Sequence, residues 1–200
     1  MISIFVTGGI GSGKSTLLQF CAERGAGIVY ADEVGHDNLH DPAMRAELAR
    51  AFGPEILDAK GEVIRSALAA RAFATPEATA RMDAITQPRL YDGCLRAIAE
   101  AGRTHEVVVL EMAILDGRDD FYRHADLVVA VTTSPEVRVA RLMAARGFTE
   151  EDARSRLARQ VPEERRLAIA DTVLTNDGSL VEFEQQIARW WDSEVVPRLS

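Results

Sequence analysis

A glycine-rich segment near the amino terminus has the residue types and spacing of a phosphate-binding loop. It reads Gly-Gly-Ile-Gly-Ser-Gly-Lys-Ser-Thr, and four of its residues occupy the fixed positions of that motif: Gly8, Gly13, Lys14 and Ser15. Glycines let backbone N–H groups approach an anion closely. Lys14 can reach the β- and γ-phosphates of a nucleotide, and Ser15 can hold Mg²⁺. The segment therefore predicts a site for ATP and Mg²⁺, against the alternative of a plain glycine-rich turn before a helix.

The flanking residues favour the nucleotide-binding interpretation. An apolar run over 2–6 is typical of a buried parallel strand, and the apolar pattern over 14–24 is typical of a helix. A helix that begins at the loop adds its dipole and its free N–H groups to the anion site. The sequence contains only two lysines, Lys14 and Lys60, so a lysine at this motif position is not incidental. The nucleotide-binding residues predicted in this segment are Gly11, Ser12, Gly13, Lys14, Ser15 and Thr16.

Length and composition fit one α/β domain and exclude several classes of protein. The 200 residues are 47% hydrophobic and 27% charged, which is ordinary for a globular protein. The net charge of −8 argues against a general nucleic-acid-binding protein, which would need a basic face. Cys21 and Cys94 are too few for a disulfide framework or a metal site. No apolar stretch reaches membrane-spanning length and no signal peptide is recognisable, so we expect a cytoplasmic protein without membrane or nucleic-acid partners.

Apolar runs alternate with helical patterns along the chain, which predicts a parallel sheet covered by helices. The predicted strands are 2–6, 28–31, 106–111, 126–132 and 172–175. The predicted helices are 14–24, 42–52, 64–73, 77–101, 135–146, 150–159 and 179–191. The segment 41–101 contains only helical patterns and is too long for one crossover connection. We therefore expect it to form a helical lobe inserted into the sheet domain.

Two carboxylates follow predicted strands and are candidates for the reaction centre. Ligands of open parallel sheets bind beyond the carboxyl ends of the strands. Asp32, after the second strand, could orient or deprotonate an attacking hydroxyl group, and the alternative is a helix N-cap for 33–40. Glu111, at the end of the third strand, could support Mg²⁺ directly or through water, and the alternative is a solvated strand end.

Arginines crowd the segment after the fourth strand, on both sides of Gly147. Helical patterns that meet at a glycine indicate a mobile lid, and guanidinium groups match phosphate geometry. We expect 141–160 to form such a lid, with Arg141 and Arg146 at the phosphates. Most of the other arginines are expected on a solvated face, paired with acidic residues. Asn176 follows the last strand and is predicted either to contact adenine or to form an Asn-Asp-Gly turn.

The order of these motifs resembles the dephospho-coenzyme A kinase family over nearly the whole chain. The string Thr-Gly-Gly-Ile-Gly-Ser-Gly-Lys-Ser-Thr over 7–16 is much more specific than a generic phosphate-binding loop. Weaker matches follow in the same order: Ala31-Asp32, Phe52-Gly53, Gly61 to Arg65, Leu68, Phe73, Gln87-Pro88-Arg89, Ser134-Pro135-Glu136, Arg141-Leu142, Arg146, Gln160, Ala170-Asp171 and Asn176 to Ser179.

The resemblance implies both an activity and a set of site residues. Members of the family phosphorylate the ribose 3′-hydroxyl of dephospho-coenzyme A with ATP. By resemblance, Asp32 faces the acceptor hydroxyl and Arg65 lies in the lobe that holds the acceptor. Arg141 and Arg146 correspond to lid residues, and Asn176 falls where the family contacts the ATP base.

The chain departs from the family at three places around the acceptor site and the metal support. Gln87-Pro88 stands where the family usually has His-Pro, and Gln87 is assigned to acceptor binding in its place. Glu-Met-Ala-Ile-Leu over 111–115 replaces Asp-hydrophobic-Pro-Leu-Leu. Asp-Gly-Arg over 116–118 gives no clear match to a carboxylate that follows in the family.

We interpret the chain as one α/β domain over 1–200 with a three-layer P-loop fold: a five-stranded parallel sheet, an inserted helical acceptor lobe and a helical lid. The expected catalytic residues are Lys14, Asp32 and Arg141. The expected acceptor-binding residues are Asp32, Arg65 and Gln87, and the expected Mg²⁺ ligands are Ser15 and Glu111. A monomer is favoured. Two other functions stay open: a related kinase for another small nucleotide-like alcohol, and an ATP-binding regulatory module without activity.

Overall fold

A computed structural model of the chain describes residues 1–112 and 119–199, and gives only the backbone of Asp119 and Arg146. Five strands form one sheet: β1 (Ile2–Gly8), β2 (Gly27–Tyr30), β3 (Val107–Glu111), β4 (Leu127–Thr132) and β5 (Thr172–Thr175). The α-helices of the described residues are α1 (Lys14–Glu23), α2 (Ala31–Asn38), α3 (Pro42–Phe52), α4 (Arg65–Ala72), α5 (Pro76–Ala101), α6 (Pro135–Arg146), α7 (Glu150–Ala158), α8 (Glu163–Ile169) and α9 (Leu180–Trp190). Shorter turns of 3-10 helix lie at Pro54–Ile56, Asp119–His124 and Val196–Arg198, and α9 continues into a π-helical turn at Trp191–Val195.

The strand order β2-β3-β1-β4-β5 puts β1 at the centre of the sheet. β1 pairs in parallel with β3 and β4, with Ile4 opposite both Val109 and Leu127. β4 also pairs in parallel with β5. The predicted five-stranded parallel sheet is therefore confirmed. β1 runs two residues beyond the predicted strand, to Gly8, so the central strand leads directly into the glycine-rich loop.

Both faces of β1 are buried, as is typical of a central parallel strand, and each face packs against different residues. One face, which includes Ile4, packs in a cluster with Leu17 of α1 and Ile187 of α9. On the other face, the Phe5 ring stacks on Phe121 with ring centroids 5.3 Å apart. α8 packs against β1 and β4. Helices α1 and α9 thus hold the loop-bearing strand from one side of the sheet.

Residues 30–97 form a second compact unit with a core of its own. Its buried apolar residues come from α3, α4, α5 and the turn between α3 and α4: Met44, Leu48, Phe52, Ile56, Leu68, Ala72 and Ile85. The unit is almost entirely helical, apart from one antiparallel bridge between Leu57 and Val63. It begins before the predicted lobe of 41–101, because α2 belongs to it. No helix among the described residues is long and apolar enough to cross a membrane.

Both cysteines are expected to resist alkylation in the folded protein. Burial raises the pKa of the Cys21 thiol to about 12 and that of the Cys94 thiol to about 11, so the reactive thiolates are scarce near pH 8. Both side chains are also fully buried. Mass spectrometry after iodoacetamide treatment should find neither residue labelled in buffer and both labelled in denaturant. Rapid labelling of either cysteine in buffer would contradict the burial of that thiol in the folded protein.

Candidate active site

The glycine-rich loop connects β1 to α1 and has a backbone shape that only glycines adopt readily. Gly11 and Gly13 have positive φ angles of 76° and 101°. Gly13 is also the N-cap of α1, so the first N–H groups of that helix lie at the loop, and the N–H of Thr16 donates to the Gly13 carbonyl at 3.0 Å. Ser15 and Thr16 lie in that first turn, and the Ser15 side chain is exposed. The arrangement is an anion-binding nest at a helix N-terminus.

Lys14 folds back over the loop and pairs with the carboxylate that ends β3. Its Nζ donates to the carbonyl of Gly8 at 2.9 Å and lies 3.4 Å from Oε1 of Glu111. Both side chains are about 19% exposed. The register of the sheet explains the contact, because Glu111 is the partner of Val6 on β1, two residues before the loop. Glu111 is thus held at the loop by an ion pair.

Asn176 is buried beneath the loop and connects it to α6. Its Nδ2 donates to the carbonyl of Ser12 at 2.8 Å, and its Oδ1 accepts from Nη2 of Arg141 at 3.1 Å. The hydroxyl of Thr133 donates to the same Ser12 carbonyl at 3.0 Å. Asn176 is only 5% exposed. Both ends of its amide are therefore engaged in supporting the loop.

Arg141 carries a buried donor that the described residues leave unpaired. Its Nη2 is bonded to Asn176, but its Nη1 is buried and has no hydrogen-bond partner within 1–112 and 119–199. A buried guanidinium N–H without a partner can donate to an anion, so Arg141 is a candidate phosphate ligand beside the loop. The side chain of Arg146, the other predicted phosphate ligand, lies outside the described part of the chain, and its backbone ends α6.

Arg138, expected on a solvated face, lies instead against the tip of the loop. The residue is 6% exposed, and its Nε donates to the carbonyl of Ile10 at 2.9 Å. A Cβ at Gly9 would lie 2.3 Å from Nη2 of Arg138, so this approach requires glycine. Burial lowers the pKa of the Arg138 guanidinium, nearby Arg166 lowers it further, and Glu163 opposes both. Sequence spacing offers one signal, because residues three apart share a helix face, and Arg138 shares that face with Arg141.

The acceptor residues predicted from the sequence lie in the second unit. Asp32 is exposed in the first turn of α2, and the N-cap of that helix is Tyr30, so the N-cap interpretation of Asp32 is wrong. Arg65 is the exposed first residue of α4, and Gln87 is half-buried within α5. Pro88 follows inside the same helix.

The arginines of this second unit divide into paired and unpaired groups. Arg71 lies 2.8 Å from Glu55, and Arg89 lies 2.7 Å from Glu47. Arg65 makes no ion pair among the residues that the structure describes, so its charge is available to a ligand. The departures from the family over 113–118 fall outside the described residues. Within the described residues, no cluster of three or more His, Cys, Asp or Glu side chains could hold a metal ion.

A glycine loop between the central strand of a parallel sheet and a helix, with a lysine at the start of that helix, defines a P-loop nucleotide-binding protein. Comparisons with known proteins specify the family. A family model described as dephospho-CoA kinase matches residues 2–182. The dephospho-CoA kinase of Corynebacterium glutamicum is 43% identical over 194 residues, which cover 94% of this chain and 95% of that protein. The chain therefore belongs to the dephospho-CoA kinase family.

Solved structures agree with this family in fold. A crystal structure of a Thermus thermophilus protein, 29% identical, superposes with a TM-score of 0.77 and covers 100% of this chain and 98% of that one. The dephospho-CoA kinase from Campylobacter jejuni has a TM-score of 0.63 at 23% identity, covering 99% of this chain and 97% of that one. The second likeness concerns the fold alone, and both confirm the α/β P-loop architecture expected from the sequence.

Proposed function

We propose that this chain transfers the γ-phosphoryl group of ATP to the ribose 3′-hydroxyl of dephospho-coenzyme A, which gives coenzyme A and ADP. The family match over residues 2–182 is the observation that carries this function. The Corynebacterium glutamicum relative with this name is matched over 95% of its length, which favours this activity over a kinase for another alcohol and over an inactive regulatory module. The loop supplies the matching chemistry, because phosphoryl transfer needs positioned cations and N–H donors more than covalent catalysis.

On the ATP side, the phosphates replace the present partners of Lys14 in our proposal. Lys14 Nζ now contacts the Gly8 carbonyl and the Glu111 carboxylate. Phosphate oxygens are charged acceptors and compete well with a neutral carbonyl. The unpaired Nη1 of Arg141 supplies a second cationic donor. Asn176 holds Arg141 and the Ser12 carbonyl in place, and this role explains its burial better than a contact of its side chain with adenine.

The residues around Lys14 suit a magnesium ion bound with the nucleotide. Ser15 offers a hydroxyl oxygen and Glu111 a carboxylate, and both are hard oxygen donors of the kind that Mg²⁺ prefers. When bound, the ion neutralises charge on the β- and γ-phosphoryl oxygens. Glu111 would hold it directly or through water once Lys14 has turned to the phosphates.

On the acceptor side, we assign the general base to Asp32. The 3′-hydroxyl oxygen forms the new bond to the γ-phosphorus, the bond to the β–γ bridging oxygen breaks, and ADP departs with those electrons. Asp32 takes the proton of the hydroxyl group. Arg65, exposed and without an ion pair among the described residues, is proposed to bind the pyrophosphate of the acceptor, with Gln87 as a further contact.

We further propose that the predicted helical lobe, 41–101, holds the acceptor and that the predicted lid, 141–160, closes over the phosphates with Arg146. In the lid region, α6 ends at Gly147, whose φ angle is 65°. α7 then begins at the N-cap Thr149, whose hydroxyl accepts from the backbone of Asp152 at 3.1 Å. A helical hairpin beside the loop can cover bound phosphates and exclude water from the reaction.

The choice of acceptor tests this function directly. Dephospho-coenzyme A is expected to have at least about 100-fold higher kcat/KM than adenosine, because binding energy from its pyrophosphate and pantetheine arm can orient the 3′-hydroxyl. Coenzyme A, whose 3′-position is already phosphorylated, serves as the matched control and should release no ADP. Equal kcat/KM for dephospho-coenzyme A and adenosine, or no transfer to the former, would contradict the proposal.

A further inference from the structure

We propose that Gln160 is a positioning residue for the nucleotide, which fixes the tip of the phosphate-binding loop to α6 through one carboxamide oxygen. Gln160 lies in the bend just after α7 and is half-buried. The inference deepens the proposed function, because it concerns the same ATP site. The inference about Gln160 depends on the proposed function only where kcat and KM are measured, because ATP binding can be measured without any acceptor.

The contact is a closed ring of three hydrogen bonds around the peptide groups of Ile10. The N–H of Ile10 donates to Oε1 of Gln160 at 3.0 Å. The carbonyl of Ile10 accepts from Nε of Arg138 at 2.9 Å. Arg138 completes the ring by donating through Nη2 to the same Oε1 of Gln160. Both backbone polar groups at the tip of the loop are thus bonded to residues 128 and 150 positions away in sequence.

Packing restricts the loop tip to this position. The Ile10 side chain packs against Val139 and Leu142 of α6 and Ala153 of α7. The absence of a Cβ at Gly9 lets the guanidinium of Arg138 approach the loop closely. The ring of hydrogen bonds therefore lies beside a packed cluster and is partly shielded from water, which strengthens such bonds.

The two arginines on this face of α6, Arg138 and Arg141, have different hydrogen-bond partners. Arg138 is committed to Ile10 and Gln160, and it also lies 3.9 Å from the carboxylate of Glu163. Arg141, one turn later, is anchored by Asn176 and keeps a buried donor without a partner among the described residues. One arginine therefore shapes the loop and the other is available to the phosphates. Loss of the Gln160 oxygen would loosen the loop, and ATP would then have to order it on binding.

Only the oxygen of Gln160 takes part in the ring, so substitutions that remove or keep this one acceptor test its role directly. Gln160→Met keeps the length of the side chain and removes the acceptor, and Gln160→Ala removes both. Gln160→Glu keeps an acceptor and places a negative charge beside Arg138. Gln185→Met, an exposed glutamine on α9, is the matched control. ATP affinity by calorimetry and the thermal unfolding midpoint are measured for each variant, with kcat and KM for ATP beside them.

Gln160→Met and Gln160→Ala are expected to weaken ATP binding about 10-fold and to raise KM for ATP more than they lower kcat. The ATP affinity of Gln160→Glu and Gln185→Met should stay within about 2-fold of that of the unmodified protein. Unchanged ATP affinity in Gln160→Met and Gln160→Ala, even with a lower unfolding midpoint, would reduce Gln160 to a stability role and overturn the proposal. Binding as weak in Gln160→Glu as in Gln160→Met would also overturn it. If the unmodified protein binds ATP but does not phosphorylate dephospho-coenzyme A, the proposed function fails and the role of Gln160 stands on the binding data.

Discussion

Replacing Lys14 with alanine is expected to lower kcat by at least about 100-fold while the fold stays intact. The ammonium group lies among loop carbonyls and the Glu111 carboxylate, where phosphate charge develops during transfer in the proposed complex. Loss of one positioned cationic contact to a transition state costs on the order of 3 kcal/mol or more. The half-buried side chain contributes little to the apolar core, so the unfolding midpoint should move little. Steady-state ADP release with dephospho-coenzyme A measures the effect.

The sequence itself provides a clean control for this variant. Lys60 is the only other lysine, and its side chain is exposed outside the loop. Lys60→Ala should keep the turnover of the unmodified protein, because a solvated lysine that has no charged partner within 1–112 and 119–199 adds little to stability or to phosphate binding. Near-normal turnover of Lys14→Ala would show that this lysine does not stabilise the transferring group, whatever the rest of the loop binds.

The sheet could be predicted because its signals are local. The runs over 107–110 and 127–131 are apolar throughout, as strands buried on both faces are, and polar residues flank each of them. One helix, α8, is absent from the predicted helices, and α2 corresponds only to the alternative of a helix over 33–40 with Asp32 as its N-cap. α8 is only seven residues long, and its N-cap is Pro162. α2 begins at Ala31 after the N-cap Tyr30. Both helices have acidic residues in the first turn, but neither has a Ser, Thr, Asp or Asn side chain as its cap.

Only those parts of the candidate site that consist of residues adjacent in sequence could be predicted. The glycines between Gly8 and Thr16 determine the backbone conformation of the loop, so its role can be predicted from these residues alone. The contact of Arg138 with Ile10 depends on how α6 packs, over a separation of 128 residues. Many arginines crowd that part of the sequence, and composition does not distinguish the buried Arg138 from the others. Asn176 is similar, because its partner Ser12 is 164 residues away.

Replacing Asp32 with asparagine is expected to lower kcat by about 10²- to 10⁴-fold and to leave ATP affinity nearly unchanged. The amide has the shape of the carboxylate and keeps hydrogen bonds, but it cannot take the proton of the attacking 3′-hydroxyl. Asp32 lies exposed in the first turn of α2 and is not the N-cap of that helix, so the loss would not come from a broken cap. Turnover with dephospho-coenzyme A and ATP affinity by calorimetry separate catalysis from binding.

Asp37 supplies the matched control, because it is an exposed aspartate on the same helix, five residues further on and therefore on another face. Asp37→Asn removes the same charge from α2, so any general effect of charge on the helix or on long-range attraction of substrates appears in both variants. Only Asp32→Asn should lose turnover beyond that shared effect. If the two variants lose turnover equally, the charge of α2 matters and the general base lies elsewhere. If instead ATP affinity collapses in Asp32→Asn while turnover at saturating ATP is spared, Asp32 contacts the nucleotide or its metal, and the proton of the 3′-hydroxyl leaves by another route.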